Sequence, residues 1–201
     1  PLSTAWRTLV SFTASYYQRS VGEVALAALP PQLRDLSPVQ LARRLKRHAA
    51  PPCVDVVATP SSVPMLDAVV QLTPEQSAVI ARFHSAAGPH LLFGATGSGK
   101  TEVYLQLVLQ TLQSDPQAQA LVMVPEINLT PQLEQRFRAS FAPLWGEHAV
   151  VSLHSGMSPA QRLKSWLAAH QGEARIVLGT RLAIFASLPC LRLIIVDEEH
   201  D

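Results

Sequence analysis

The chain has 201 residues, of which 48% are hydrophobic and only 15% charged, a balance that suits an ordered core and excludes global disorder. No apolar run approaches the roughly 18–20 residues of a membrane span, and no amino-terminal signal pattern is seen, so the expected setting is cytoplasmic with no membrane partner. The net charge of +1 hides an asymmetry: residues 1–50 carry seven basic side chains against Glu23 and Asp35, while the remainder carries nine basic against 13 acidic, which suggests two units with different partners.

The amino-terminal part reads as helical over about residues 3–17, 21–29 and 37–48, followed by a short β-like piece near 53–57. Three short helices, the third carrying "RRLKR", fit either a winged-helix or helix-turn-helix module or a plain three-helix unit with a basic solvated face. Prolines 51, 52, 60 and 64, with Ser61 and Ser62, then break up any long element. The boundary is placed there, giving a winged-helix-like domain at 1–65 and an α/β domain at 66–201. Cys53 and Cys190 stand far apart and in no CxxC spacing, which argues against a disulfide framework or a zinc site and suits a reducing compartment.

Helix starts share one device. "SPVQ" (37–40), "TPEQ" (73–76), "TPQL" (130–133) and "SPAQ" (158–161) each put Ser or Thr at an N-cap and proline at the first helical position, and three of them add Gln to complete a capping box. They predict helices at about 73–87, 130–141 and 158–170, beside one at about 100–113. Apolar runs at 90–93, 120–124, 149–153, 174–178 and 191–196 are consecutive rather than alternating, as strands covered on both faces require. Strands alternating with helices predict a parallel α/β sheet.

"LLFGATGSGKTEVY" (91–104) fits the phosphate-loop pattern G-x-x-x-x-G-K-[ST], with a predicted strand before it and a helix after it. Its glycines let the backbone N–H groups of Gly94, Ala95, Thr96, Gly97, Ser98 and Gly99 curl around phosphate oxygens, and the following helix adds positive potential. In this pattern Lys100 reaches the β- and γ-phosphates and the Thr101 hydroxyl sits on Mg2+. "LIIVDEEH" (193–200) supplies the complementary acids at the carboxyl end of a buried strand: Asp197 to hold Mg2+, and Glu198 to orient or deprotonate the attacking water.

"GSGKT" followed by "DEEH" resembles the superfamily-two helicases. The stretches "GATGSGKTEVY", "LVMVPEINLTPQ", "LHSGMS", "RIVLGTRLAIFA" and "LIIVDEEHD" narrow this, for in order and spacing they resemble the PriA family of primosomal replication-restart helicases over about residues 72–201. "YYQRSVGEVALAALPP" (16–31) is similar to the winged-helix domain that precedes the motor in that family.

The resemblance implies a RecA-like P-loop lobe behind a winged helix, in an ATP- and Mg2+-dependent 3′→5′ DNA helicase. Such an enzyme acts on stalled or abandoned replication forks and initiates primosome assembly in the bacterial cytoplasm, associated with the nucleoid. Implied partners are forked and single-stranded DNA and, for the full-length protein, primosome proteins and single-stranded DNA-binding protein. By motif position, Gln76 falls near the adenine, although it serves equally well as a capping-box side chain. Pro125, Thr180 and Arg181 fall on segments that track single-stranded DNA, and His200 couples the γ-phosphate site to those segments, whereas His154 reads as structural. Ala95 departs from the valine usual in the family. Family members continue into a second lobe with a zinc-binding insertion, the only place where zinc is expected, and that lobe supplies a transition-state arginine. The chain is therefore expected to be a middle fragment with negligible ATP turnover of its own. Another superfamily-two DNA translocase, or a non-catalytic DNA- or partner-binding fragment, is the alternative.

Overall fold

The structure is a computed structural model describing residues 2–33, 35–46, 72–85, 88–95, 97–125 and 130–197. It divides into two compact units, Pro1–Asp55 with Gln117–Asp201, and Val56–Pro116. The β-like piece at 53–57, the boundary at 65/66, and the side chains of Thr96, Glu198 and His200 lie outside the described residues.

The first unit opens with three helices: α1 (Thr4–Tyr16), α2 (Val21–Ala28) and α3 (Pro38–Lys46), with a 3₁₀ turn at Pro31–Leu33. Their starts follow the predicted chemistry. Ser3 accepts from Trp6 N–H, and Ser20 with Glu23 and Ser37 with Gln40 form reciprocal capping boxes. The second half of the unit contains β1 (Gln119–Met123), α6 (Pro131–Trp145), β2 (Val150–Leu153), α7 (Pro159–His170), β3 (Ile176–Gly179) and β4 (Leu191–Val196). Its four strands form a parallel sheet in the order β2-β3-β1-β4. As the consecutive apolar runs predict, β3 is buried at every position. β4 differs: Leu193 and Ile195 are buried while Arg192, Ile194 and Val196 are exposed, so this strand is covered on one face.

Two apolar clusters hold this unit together. One gathers Leu121, Val177, Ala169, Ala174 and Ala183 where helix and sheet meet. In the other, Leu163, Trp166 and Leu167 of α7 pack against Leu29, Leu33, Leu36, Leu41 and Leu45 of the amino-terminal helices. Full burial of a leucine contributes about 1.5–3 kcal/mol, a range that applies to Leu163, while the partly buried leucines packed on it contribute less. Two directional bonds fix the same contact: Trp6 Nε1 donates to Phe185 O at 2.9 Å, and Gln171 Nε2 donates to Leu45 O at 2.8 Å. Spacing did not predict the state of Cys190, which is buried and disulfide-bonded, with its partner outside the described residues.

Gln119 is the polar anchor of the sheet. Fully buried, it donates from Nε2 to Ala169 O and Ala174 O, each at 2.8 Å, and accepts from Cys190 N–H at 3.1 Å. One carboxamide thus ties the end of α7, the approach to β3 and the start of β4. A buried amide is tolerated here because both its ends are paired.

The second unit contains α4 (Pro74–Ser85) and α5 (Lys100–Ser114). Thr73 and Gln76 cap α4 reciprocally, and the His84 Nε2 and Gln110 Oε1 atoms, 2.6 Å apart, link the two helices. α5 buries Glu102, Val103, Tyr104 and Leu105 at successive positions and then Leu107, Val108 and Leu112, so its first turns are covered nearly all round. The run 90–93, expected as a strand, is irregular. Leu91 is 87% and Phe93 95% exposed, and the local packing is of the His90 ring on Phe83 at 4.9 Å. Apolar residues make a strand only where a neighbouring strand takes up their backbone groups, and among the described residues no strand is paired with this run.

Candidate functional site

The loop 94–99 turns directly into α5. Gly99 is the N-cap residue and sits in the left-handed region at φ 83°, ψ 22°, where a Cβ is disfavoured. Gly97 also has positive φ, at 81°. Lys100 Nζ donates to Gly94 O at 2.7 Å, so the lysine closes the loop across its mouth. Gln76 Nε2 donates to Gly99 O at 3.2 Å. Within the loop, Ser98 N–H also donates to Ala95 O at 3.1 Å, and Thr101 lies in the first turn of α5.

One contrast decides what this loop can hold. α1, α2, α3, α4, α6 and α7 each begin with a Ser or Thr side chain accepting a hydrogen bond from the first turn. α5 begins with Gly99 and has no side-chain cap. Among the described residues no side chain caps the N–H groups of its first turn, which has the helix dipole behind it and a lysine beside it. That donor set fits a phosphate group, and Thr101 in the first turn fits a magnesium ligand.

The sheet presents a second group of residues within the first unit. β1, β3 and β4 are neighbours and parallel, so Pro125, Thr180 and Asp197 lie along one carboxyl edge. Backbone bonds carry the register past the strand ends: Val124 N–H to Gly179 O at 2.9 Å, Thr180 N–H to Leu153 O at 3.2 Å and Asp197 N–H to Met123 O at 2.8 Å. Arg181 is exposed, whereas Thr180 is buried at 4% exposure and faces the protein. Gly179 has a packing reason that the motif alone did not reveal. A Cβ there would stand 2.7 Å from Leu153 O and would collide with the Ala183 side chain, so the 3₁₀ turn Arg181–Phe185 closes onto the strand end only over a glycine.

Residues 73–201 match the family described as DEAD/DEAH box helicase. The chain belongs to that family. Its fold is accordingly that of an α/β helicase lobe, and membership implies the use of ATP and Mg2+ in general. The chain is 47% identical over 133 residues to the "Replication restart protein PriA" of Synechocystis, covering 65% of this chain and 15% of that protein. It is 44% identical over 142 residues to the protein of that name from Haemophilus influenzae, covering 69% and 18%, and 45% identical over 111 residues to that from Bacillus subtilis, covering 55% and 13%. The chain thus spans less than a fifth of the length of these relatives. The predicted family resemblance agrees with these matches. Among the described residues, no helix is long and apolar enough to cross a membrane.

Proposed function

We propose that the chain is the winged helix and first helicase lobe of an ATP-dependent 3′→5′ DNA helicase that recognises stalled or abandoned replication forks and initiates primosome assembly. Residues 1–65 form the winged-helix-like part and 66–201 the lobe. The observation that carries the reading is the uncapped start of α5, where every other α-helix among the described residues is capped by a side chain. Loss of a cap costs a helix about 0.5–2 kcal/mol. A phosphate recovers that loss when it binds.

In this reading the N–H groups of residues 94–101 hold the phosphates of ATP, and Lys100 exchanges its bond to Gly94 O for one to a phosphate oxygen. Thr101 and Asp197 hold Mg2+, which when bound offsets the negative charge of the phosphates. Asp197 leaves β4 in a fixed direction because its backbone is bonded to Met123. Glu198 orients the attacking water, and His200 links the γ-phosphate to the DNA-contacting segments. Pro125, Thr180 and Arg181 line the path of single-stranded DNA, with Arg181 making the phosphate contact and Thr180 shaping the segment from within. Forked DNA, primosome proteins and single-stranded DNA-binding protein are the partners of the full-length protein. Its setting is the bacterial cytoplasm, in association with the nucleoid.

Titration of the purified chain with Mg-ATP, beside Lys100→Ala, tests the site. The expected outcome is weak binding by the parent chain, none by the variant, and the same circular-dichroism spectrum for both. Equal affinity in the two proteins would sink the assignment. DNA-stimulated hydrolysis by the chain is expected to be negligible without a transition-state arginine, a group worth about 10³–10⁵ in rate in P-loop enzymes.

A further inference from the structure

Within the first unit, the amino-terminal helices do not pack flush against the half that carries the sheet. A cavity of about 180 Å³ remains between them, with Leu26, Leu29 and Pro30 on one side and Leu153, Leu182 and Phe185 on the other. That is room for one ring and a short chain, since an apolar cavity of roughly 150 Å³ holds a benzene-sized molecule. The wall is part of a bonded junction: Phe185 is held through its carbonyl by Trp6 Nε1 at 2.9 Å.

Three polar side chains join this apolar lining, His154, Arg162 and Trp166. Trp166 is 6% exposed, yet its indole N–H has no hydrogen-bond partner among the described residues. A buried donor of this kind is ordinarily paired. Arg162 directs its Nη2 to two carbonyls, His154 O at 3.5 Å and Ser155 O at 3.2 Å. A guanidinium carries five N–H donors, so these two bonds leave Nε and Nη1 unspent. No acidic residue lines the cavity, and among the described residues Arg162 makes no ion pair. A positive charge and a residue with an unpaired N–H thus stand beside an apolar space. The complement of that arrangement is a carboxylate on a hydrocarbon body.

We propose that this cavity is a binding site for a small monocarboxylate with an aromatic or branched aliphatic body. The carboxylate pairs with Arg162 and accepts from Trp166 Nε1, and the body fills the space among Leu26, Leu153 and Phe185. None of the lining residues belongs to the phosphate loop. Leu182 and Phe185 belong to the 3₁₀ turn Arg181–Phe185, so a bound ligand touches the turn that begins at Arg181.

Titration of the ¹⁵N-labelled chain with hydrocinnamate, read from the indole N–H resonance of Trp166, tests the site; Trp166→Phe assigns the resonance. Uncharged hydrocinnamyl alcohol is the control for charge and acetate the control for the body. A saturable shift is expected with hydrocinnamate, and at least about tenfold weaker binding of either control, the worth of one charge-assisted hydrogen bond or of a buried ring. Arg162→Gln keeps a donor for the two carbonyls and removes the charge. It is expected to weaken hydrocinnamate about tenfold and to leave the alcohol unchanged. Ala28→Phe fills the cavity with the polar groups in place, and is expected to abolish the shift while keeping the parent circular-dichroism spectrum. An unmoved Trp166 resonance, equal binding of the acid and the alcohol, or full binding by a folded Ala28→Phe overturns the proposal. Should Ala28→Phe fail to fold, Arg162→Gln decides alone, and an unchanged affinity for hydrocinnamate in that variant overturns it.

Discussion

The P-loop and the carboxyl edge of the sheet hold their chemistry by opposite means. At the loop, the groups proposed to bind phosphate are backbone N–H donors on exposed and half-exposed residues, and two side chains bond its carbonyls, Lys100 to Gly94 and Gln76 to Gly99. At the sheet edge the backbone is already paired strand to strand, and what reaches outward is a side chain, Arg181, on a platform of buried Gly179 and Thr180. A site made of backbone is sensitive to conformation, and a site made of side chains on packed backbone is sensitive to volume. Substitutions in the two regions should therefore fail differently, one in affinity and the other in stability.

The sheet should give the largest effect. Gln119→Leu removes the partners of Ala169 O, Ala174 O and Cys190 N–H, and a buried group left unpaired costs about 1–3 kcal/mol. A loss of at least about 3 kcal/mol is expected in urea unfolding, and a midpoint matching the parent chain would refute the anchor role. Gly99→Ala should cost less in stability, about 1–2 kcal/mol for a Cβ at positive φ, yet weaken nucleotide binding disproportionately. If its nucleotide affinity fell no further than its stability explains, the contrast between the regions would lose its basis.

The smallest effect concerns pH and belongs to the sheet unit. Burial, with a nearby positive charge as the lesser cause, pushes His170 below the ordinary imidazole value. Its Nδ1 lies 2.8 Å from Ser187 Oγ, and its ring stacks on Trp166 at 5.2 Å. The unfolded chain therefore takes up this proton at a higher pH than the folded chain does. Stability is full above about pH 6.5 and declines as pH falls toward the lowered folded value. Melting temperature should drop modestly on that acid side, and less in His170→Gln; an identical slope in the variant would exclude His170 as the source.

How much of this was legible depended on the range of the interactions concerned. The helix starts were readable because a cap is written in four consecutive residues, as at Ser158–Gln161. Most strands were readable because apolar runs such as 174–178 pair where they are expected. "HLLF" failed because its strand character depends on a neighbour that sequence cannot supply. Gln119 went unremarked since its three partners lie up to 71 residues away, although an amide opening an apolar run is a signal worth following. Gly179 lies in the quoted stretch "RIVLGTRLAIFA", but its packing constraint depends on Ala183 and on Leu153, 26 residues earlier in the chain. For Gln76 the capping-box role, written in residues three apart, is the one seen directly.

The reciprocal caps on α2, α3, α4 and α7 also bear on how this chain folds. Each fixes where a helix begins from residues three apart, without help from distant contacts. The parallel strands, by contrast, must close long loops before any pairing is rewarded, and such ordering is slow. Helix boundaries can thus be set on the timescale of local chain motion, leaving the sheet to assemble from segments whose lengths are already decided. In that sequence of events the start of α5 stands out, since it alone of the described α-helices has no side-chain cap to set it.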